Sequence, residues 1–210
     1  EEAAKLMKLH DIIGTVNVFA IFEENNTAYL VMEYLDGCTL AQMLKEKKIM
    51  PVEEALKMIR PVIRSLQEIH KNNLIHRDIT PDNIFITKSG ELKVLDFGSA
   101  RYSALAQNKS ISVIVKQGYA PPEQYQLYKD QGSWTDVYSL AATIYKMITG
   151  KVPEDSITRM VKDTLEAPSA LAITIIKSQE NALLNALNTK ISSRTQTMDA
   201  FEKQLFSEEE

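Results

Sequence analysis

The sequence predicts an α+β fold in which a small amount of β structure comes first and helices follow. Residues 16–22 and 28–34 are apolar, rich in β-branched and aromatic residues and separated by a polar link, so they predict an antiparallel hairpin. Residues 83–87 and 91–95 predict a second, shorter hairpin. Much of the remaining chain carries apolar residues at spacings of three and four, which indicates helices.

Each predicted helix has start or stop signals of its own. A short helix is expected over 39–48, after the break at Asp36-Gly37. Pro51 opens a long helix as its first helical residue, and Pro61 within it is expected to weaken or kink it. Further helices are expected over 1–10, 134–148 with Gly150 beyond its end, 154–165, 178–188 and 197–206, while the polar stretch 99–132 predicts a loop.

Composition and charge narrow the class of protein. The chain has 210 residues, a length that fits one domain or two small ones. Its formal net charge of −4 argues against a general nucleic-acid binder. The single cysteine, Cys38, allows no intrachain disulfide and fits a reducing compartment. The sequence shows neither a signal peptide nor an apolar run long enough to span a membrane. We therefore expect a cytoplasmic chain without a membrane segment of its own.

The most informative segment is His76-Arg77-Asp78-Ile79-Thr80-Pro81-Asp82-Asn83, followed by Asp96-Phe97-Gly98. Asn83 lies five residues after Asp78, and Asp96 lies 18 residues after it (96 − 78 = 18). This combination resembles the catalytic loop and the Asp-Phe-Gly motif of the protein kinase family. The resemblance covers nearly the whole chain and is strongest to bacterial Ser/Thr kinases of the eukaryotic type.

The resemblance implies a protein-kinase-like fold with a complete, mainly helical C-lobe over 36–206 and a tail over 207–210. Residues 1–35 would form a partial N-lobe with the end of an αC-like helix, two strands and the hinge. The family's Gly-rich loop and strand Lys are not seen in this sequence. By position Glu2, or else Glu1, would be the αC glutamate, so about 50 residues of a usual kinase domain would be missing before this point.

The resemblance also implies ATP and Mg²⁺ as cofactors. Asp78 would accept or orient the proton of the attacking hydroxyl, and Asn83 and Asp96 would supply oxygen ligands for Mg²⁺. Phe97 would decide whether Asp96 points inward.

The adenine site is expected at the hinge that follows the second strand. Met32 would be the gatekeeper, and the backbone from Glu33 to Leu35 would meet the adenine edge. Phe85 would lie under the ring; an ordinary hairpin-core position is an equally good interpretation and compatible with the first.

Other residues are expected to regulate or brace this site. Arg77 can bind a phosphate on the activation segment, where Ser110 and Ser112 are candidate acceptors, although both also fit as solvated loop serines. His76 is expected to be a packed core histidine rather than an acid or base. Asp136 would either brace the catalytic loop or cap a helix.

The segment Gly118-Tyr119-Ala120-Pro121-Pro122-Glu123 resembles the end of a kinase activation segment. In the family its glutamate, here Glu123, pairs with a late arginine, and Arg194 stands at that position. The segment favours a protein substrate, since small-molecule relatives often lack it.

Two positions depart from the family's catalytic pattern. Ser/Thr kinases usually place a Lys two residues after the catalytic Asp, and this chain has Thr80 there. They usually place a Thr before the Ala-Pro-Glu motif, and this chain has Lys116. We hypothesise that the Lys116 ammonium takes the place of the missing cation, the alternative being that Lys116 is an ordinary surface lysine.

These features favour a protein kinase that transfers the ATP γ-phosphate to a protein Ser/Thr hydroxyl and is inactive as this 210-residue chain alone. The alternatives are a non-catalytic kinase-fold scaffold and a kinase-like small-molecule phosphotransferase. An incomplete N-lobe sheet also predicts self-association through that face. Bacterial relatives often carry a membrane anchor, so tethering by segments outside this chain is a further expectation.

Overall fold

The computed structural model describes residues 12–25, 27–95, 115–125 and 131–207, without the side chains of Ile21 and Ala28. The described β structure forms two small sheets, and the described helices follow or flank them. The predicted helix over 1–10 and most of the predicted 99–132 loop lie outside the described residues.

The first sheet is the hairpin that the sequence predicts. Strands β1 (Val18–Glu24) and β2 (Thr27–Met32) pair antiparallel, and the rings of Phe22 and Tyr29 stack across them with centroids 5.1 Å apart. Strand β2 ends at Met32, two residues before the predicted end, because the Asn17 N–H donates to the Glu33 side chain instead of the Glu33 backbone carbonyl oxygen.

The second sheet has the order β3-β4-β5. Strands β4 (Ile84–Thr87) and β5 (Leu92–Val94) are the predicted second hairpin, whereas β3 (Gly37–Thr39) was not predicted. Three residues are too few to show an alternating pattern, so β3 is set by its pairing with β4. Residues 14–16 run beside β5 through hydrogen bonds to both backbone groups of Val94.

Two long helices form the centre of the core. Helix α2 (Val52–Lys71) buries an apolar stripe that includes Leu56, Ile59 and Ile63. Each such side chain contributes about 2 kcal/mol by leaving water. Helix α3 (Ser133–Thr149) is buried on nearly all sides and packs against α2. The other α-helices among the described residues are α1 (Leu40–Lys47), α4 (Ser156–Val161), α5 (Lys177–Ala186) and α6 (Met198–Leu205).

Some helix boundaries differ from the predicted ones at prolines and where side chains form hydrogen bonds with the backbone. Pro51 is the N-cap of α2 rather than its first helical residue. Pro61 lies on the exposed face of α2, where the carbonyl that loses its partner can be hydrated, and the helix continues through it. Helix α4 ends at Val161, short of the predicted 165, because Asp163 accepts hydrogen bonds from the Arg159 side chain and the Leu165 backbone instead.

None of the helices in the described ranges combines the length and the apolarity needed to cross a bilayer.

Candidate active site

Asp136 fixes the backbone of the predicted catalytic loop. Its fully buried carboxylate accepts hydrogen bonds from the backbone N–H groups of His76 and Arg77 at 2.9 and 2.8 Å, and lies 2.8 Å from His70 Nε2. Burial alone raises the pKa of Asp136, but the hydrogen bond and charge of His70, together with His76, outweigh it and hold the pKa below its ordinary value. The carboxylate is therefore ionised at neutral pH.

The alternative role of Asp136 as a helix cap does not fit the structure. Gly132 occupies the N-cap of α3, and Asp136 lies within the first turn with its side chain on the catalytic loop. Sequence reasoning missed His70, which sits near the C-terminal end of α2, because no local pattern links it to Asp136, 66 residues away.

Arg77 has a left-handed backbone with φ of +70°, which a non-glycine residue adopts at a cost of roughly 1–2 kcal/mol. Hydrogen bonds hold both sides of this residue. Its N–H donates to Asp136, and its carbonyl oxygen accepts from Gln124 Nε2 at 2.6 Å. Gln124, which the sequence did not single out, thus ties the Pro-Pro-Glu segment to the catalytic loop.

Asp78 and Asn83 are brought together across the loop. Asn83 Nδ2 donates to the Asp78 carbonyl oxygen at 2.8 Å and to Asp78 Oδ2 at 2.7 Å. A 3-10 turn over Pro81–Asn83 makes this approach possible. Because the amide nitrogen is committed to Asp78, the amide oxygen is the atom that Asn83 can offer to a hard cation such as Mg²⁺.

His76 connects the catalytic loop to the strand that leads to Asp96. The ring is fully buried, and its Nε2 lies 2.8 Å from the Leu95 carbonyl oxygen. The Leu95 backbone N–H in turn donates to the Asn83 carbonyl oxygen at 2.8 Å. The residue before Asp96 is therefore fastened to both ends of the loop.

Thr80 and Lys116, the two positions that depart from the family's pattern, lie in contact. Lys116 Nζ lies 3.3 Å from Thr80 Oγ1 and 2.8 Å from Asp82 Oδ2. Thr80 is buried, whereas Lys116 and Asp82 are exposed enough to reach solvent. An ammonium group therefore lies beside the predicted catalytic loop.

The predicted adenine-binding residues lie around the hinge after β2. Met32 is exposed, and Glu33, Leu35 and Phe85 are half-buried. Ile84 belongs to the apolar core and Ile86 packs against it, whereas Phe85 is outside that cluster of described residues. Phe85 is therefore on the opposite face of β4 from the core.

Glu123 and Arg194 form a buried, bidentate ion pair with N–O distances of 2.6 and 3.1 Å. Thr135 on α3 donates a further hydrogen bond to Glu123, and the Arg194 guanidinium stacks over the Tyr138 ring. The pair and the Thr135 hydrogen bond anchor the Pro-Pro-Glu segment to α3.

The other predicted residues are Glu2, Asp96, Phe97, Ser110 and Ser112, and they lie outside the described residues. Within the described ranges, no group of three or more His, Cys, Asp and Glu side chains forms a metal cage.

A catalytic loop braced by a buried aspartate of the central helix, next to a hinge and a small β hairpin, defines the protein kinase fold. The chain belongs to the protein kinase domain family, whose model matches residues 2–207.

Relatives and solved structures agree with this assignment. A probable serine/threonine-protein kinase of Clostridium perfringens is 35% identical over 194 residues, and the serine/threonine-protein kinase PrkC of Bacillus subtilis is 30% identical over 197 residues. These alignments cover 88% and 89% of this chain but only 28% and 30% of the relatives' lengths. A solved structure titled PpkA-294 apo form matches with a TM-score of 0.81 and 31% identity, covering 97% of this chain and 72% of that one.

Proposed function

We propose that this chain is the greater part of the catalytic domain of a Ser/Thr protein kinase, which transfers the γ-phosphate of ATP to a protein hydroxyl. The observation that carries the proposal is the hydrogen-bonded pair of Asp78 and Asn83 on a loop braced by Asp136. Phosphoryl transfer needs positioning and charge neutralisation more than covalent chemistry, and this loop provides a rigid carboxylate. Residues 1–35 and 36–206 would be the partial N-lobe and the C-lobe.

Asp78 would act on the attacking hydroxyl. Its carboxylate accepts or orients the hydroxyl proton while the hydroxyl oxygen attacks the γ-phosphorus, the bond to the β–γ bridging oxygen breaks and ADP leaves. Asn83 holds that carboxylate in place through its amide nitrogen and offers its amide oxygen to Mg²⁺, with Asp96 as the second protein ligand. When bound, Mg²⁺ would neutralise charge on the phosphates.

The hinge would hold the adenine ring. Met32 would line the back of the site, and the backbone from Glu33 to Leu35 would face the edge of the ring. The half-buried position of Phe85, on the side of β4 away from the core, supports a role beneath the adenine.

Lys116 would supply the cation that usually comes from the position of Thr80. Its 3.3 Å approach to Thr80 supports this, because a flexible ammonium at that point can reach a phosphate in the site. Lys116 would then leave its ion pair with Asp82 and pair with the phosphate.

Regulation would involve residues on the activation segment and at the chain start. Phosphate on Ser110 or Ser112 would pair with Arg77. Glu2 would contribute to the active arrangement of the N-lobe, and Phe97 would determine whether Asp96 points into the site.

The partners would be protein substrates and a second copy of this chain. The exposed Phe19, Phe22 and Tyr29 of the β1–β2 hairpin support self-association through that face. Light scattering on the chain is expected to show dimers that Phe22→Ser weakens, and a strict monomer at all concentrations would contradict this. We also place the catalytic region in the cytoplasm, with tethering by other segments to be tested by cell fractionation.

The molecule that receives the phosphate distinguishes the proposed protein kinase from the scaffold and from the small-molecule phosphotransferase. The protein expressed from its whole reading frame is incubated with Mg²⁺, ATP and casein, and separately with small hydroxyl compounds, beside an Asn83→Ala control. We expect phosphoserine or phosphothreonine on a protein, mapped by mass spectrometry, and none with Asn83→Ala. The same assay on the 210-residue chain tests its expected inactivity.

Phosphate only on small molecules would replace the proposal with a small-molecule phosphotransferase. ATP binding without transfer to any acceptor would favour the scaffold.

A further inference from the structure

Glu33 makes a cluster of hydrogen bonds at the start of the hinge. Its Oε1 atom accepts from Lys93 Nζ at 2.6 Å and from the backbone N–H of Asn17 at 2.8 Å. The Glu33 backbone N–H donates in return to the Asn17 carbonyl oxygen at 2.9 Å. One side chain thus joins the hinge, the chain before β1 and strand β5.

The Glu33–Lys93 ion pair is less exposed than an ordinary surface pair. The side chains are 20% and 19% exposed, so water screens the pair weakly. Burial alone raises the pKa of Glu33, but the hydrogen bonds from Lys93 and Asn17 outweigh it and lower the pKa below its ordinary value. The carboxylate is ionised at neutral pH.

Lys93 lies on the face of β5 that points away from the core. It is the direct cross-strand partner of Phe85, so both side chains occupy the same face of the sheet, opposite the core. Two residues further along, Leu95 is bonded to His76 and Asn83. Strand β5 therefore connects the Glu33–Lys93 pair to the catalytic loop.

We propose that Glu33 and Lys93 form a positioning pair that holds the hinge backbone against β5 and so sets the adenine-binding edge relative to the catalytic loop. This assignment rests on the proposed nucleotide site. It predicts that breaking the pair weakens ATP binding and leaves the chemical step nearly unchanged, since neither ionic group touches the reacting atoms.

The test uses the protein from its whole reading frame with the variants Lys93→Met, Lys93→Arg and Glu33→Gln. Affinity for Mg²⁺-ATP is measured by calorimetry, and KM for ATP and kcat by phosphotransfer. The matched control is Lys88→Met, which breaks the Lys88–Asp36 pair (2.7 Å) at the other side of the hinge, where the side chains are 75% and 57% exposed.

We expect Lys93→Met to raise both the Kd and the KM for ATP about tenfold, the effect of losing one charge-assisted hydrogen bond, with kcat within about twofold. Lys93→Arg is expected to recover most of the affinity. Lys88→Met is expected to stay within about twofold of the unaltered protein, as an exposed pair should.

The proposal is overturned if Lys93→Met and Glu33→Gln bind ATP as well as Lys88→Met does, or if they lower kcat without changing the Kd. Glu33→Gln keeps the shape and an acceptor for Asn17, so it decides the matter if Lys93→Met fails to fold. If the unaltered protein binds ATP but transfers no phosphate, the kinase activity is rejected. The Kd values of the variants would still test the role of the Glu33–Lys93 pair. No ATP binding at all would reject both.

Discussion

Lys116 reaches the catalytic loop from a position 36 residues after Thr80. Its ammonium lies between the Thr80 hydroxyl and the Asp82 carboxylate. The sequence suggested an exchange of these two residues because the catalytic-loop motif and the Pro-Pro-Glu segment could be aligned separately, and the role of Lys116 in phosphotransfer stays a prediction. The Asp82 partner was not predictable, because it depends on how the two segments pack.

Replacing Lys116 tests whether it acts in phosphotransfer. Lys116→Met is expected to lower kcat about 100-fold, the size of effect seen when one preorganised charged or polar donor is removed from a transition state. The double variant Thr80→Lys/Lys116→Thr, which restores the common arrangement, is expected to recover at least a tenth of the activity. Initial rates at saturating ATP measure both.

Lys151→Met is the control for loss of a lysine, since Lys151 pairs with Glu166 on the exposed surface. Full activity of Lys116→Met would show that Lys116 is an ordinary surface residue.

Glu180 provides a pH-dependent contribution to stability. Hydrogen bonds from Ser169, with help from Lys177, lower its pKa from 4.5 to about 2. Because the folded-state pKa is below the unfolded value, this contribution is complete above about pH 4.5 and is lost as the pH falls towards 2. Glu180→Gln is expected to lower the free energy of unfolding by about 1–2 kcal/mol at pH 7.

Urea unfolding at pH 7 and at pH 3 measures this difference, with Glu46→Gln on the exposed face of α1 as the control. The difference between Glu180→Gln and the unaltered chain should shrink at pH 3. A difference that stays constant or grows would contradict the assignment.

At the scale of elements, helix α3 and the catalytic loop are joined by one carboxylate. Asp136 accepts two backbone N–H groups and contacts His70, so it fixes the loop on which Asp78 stands. Asp136→Asn would place an amide N–H₂ against groups that donate. We expect the free energy of unfolding to fall by about 2–3 kcal/mol and kcat to fall with it, measured by urea unfolding and initial rates.

His70→Gln, which keeps a donor for Asp136, should cost less than Asp136→Asn in both measurements. Equal stability of Asp136→Asn and the unaltered chain would show that the carboxylate does not hold the loop.

The element boundaries show how far the sequence can be interpreted. The start of helix α2 and both ends of helix α3 were predicted to within about one residue, because long amphipathic or buried segments repeat their signal over several turns. Strand β3 was missed and α4 was predicted too long. Their limits are set by pairing with β4 and by the side chain of Asp163, which local pattern does not reveal.

At the scale of the whole molecule, the family's motifs predict one shared site, of which Glu2, Asp96, Phe97, Ser110 and Ser112 lie outside the described residues. The structure places Asp78 beside Asn83 and Lys116 beside Thr80. The contacts of Gln124 and Lys93 were not foreseen, because each joins segments that are distant in sequence through a side chain that no motif marks.

The Glu123–Arg194 pair tests the long-range packing, since it joins residues 71 positions apart. Breaking a buried ion pair leaves an uncompensated charge, so Arg194→Met and Glu123→Gln are each expected to lower the free energy of unfolding by about 3–5 kcal/mol. The double variant should lose less than the sum of the two. Lys151→Met, in an exposed pair, should lose less than about 1 kcal/mol in the same urea titration. Additive losses would mean that the two side chains are not coupled.

In the proposed mechanism, Asp78 handles the proton of the attacking hydroxyl, whereas the hinge and the metal ligands bind the nucleotide. The most direct measurement compares kcat and the Kd for Mg²⁺-ATP in the unaltered protein and in Asp78→Asn, both from the whole reading frame. We predict that kcat falls by about 100-fold or more, the usual contribution of general-base catalysis, while the Kd stays within about threefold. An Asp78→Asn protein that transfers phosphate at the unaltered rate would contradict the account.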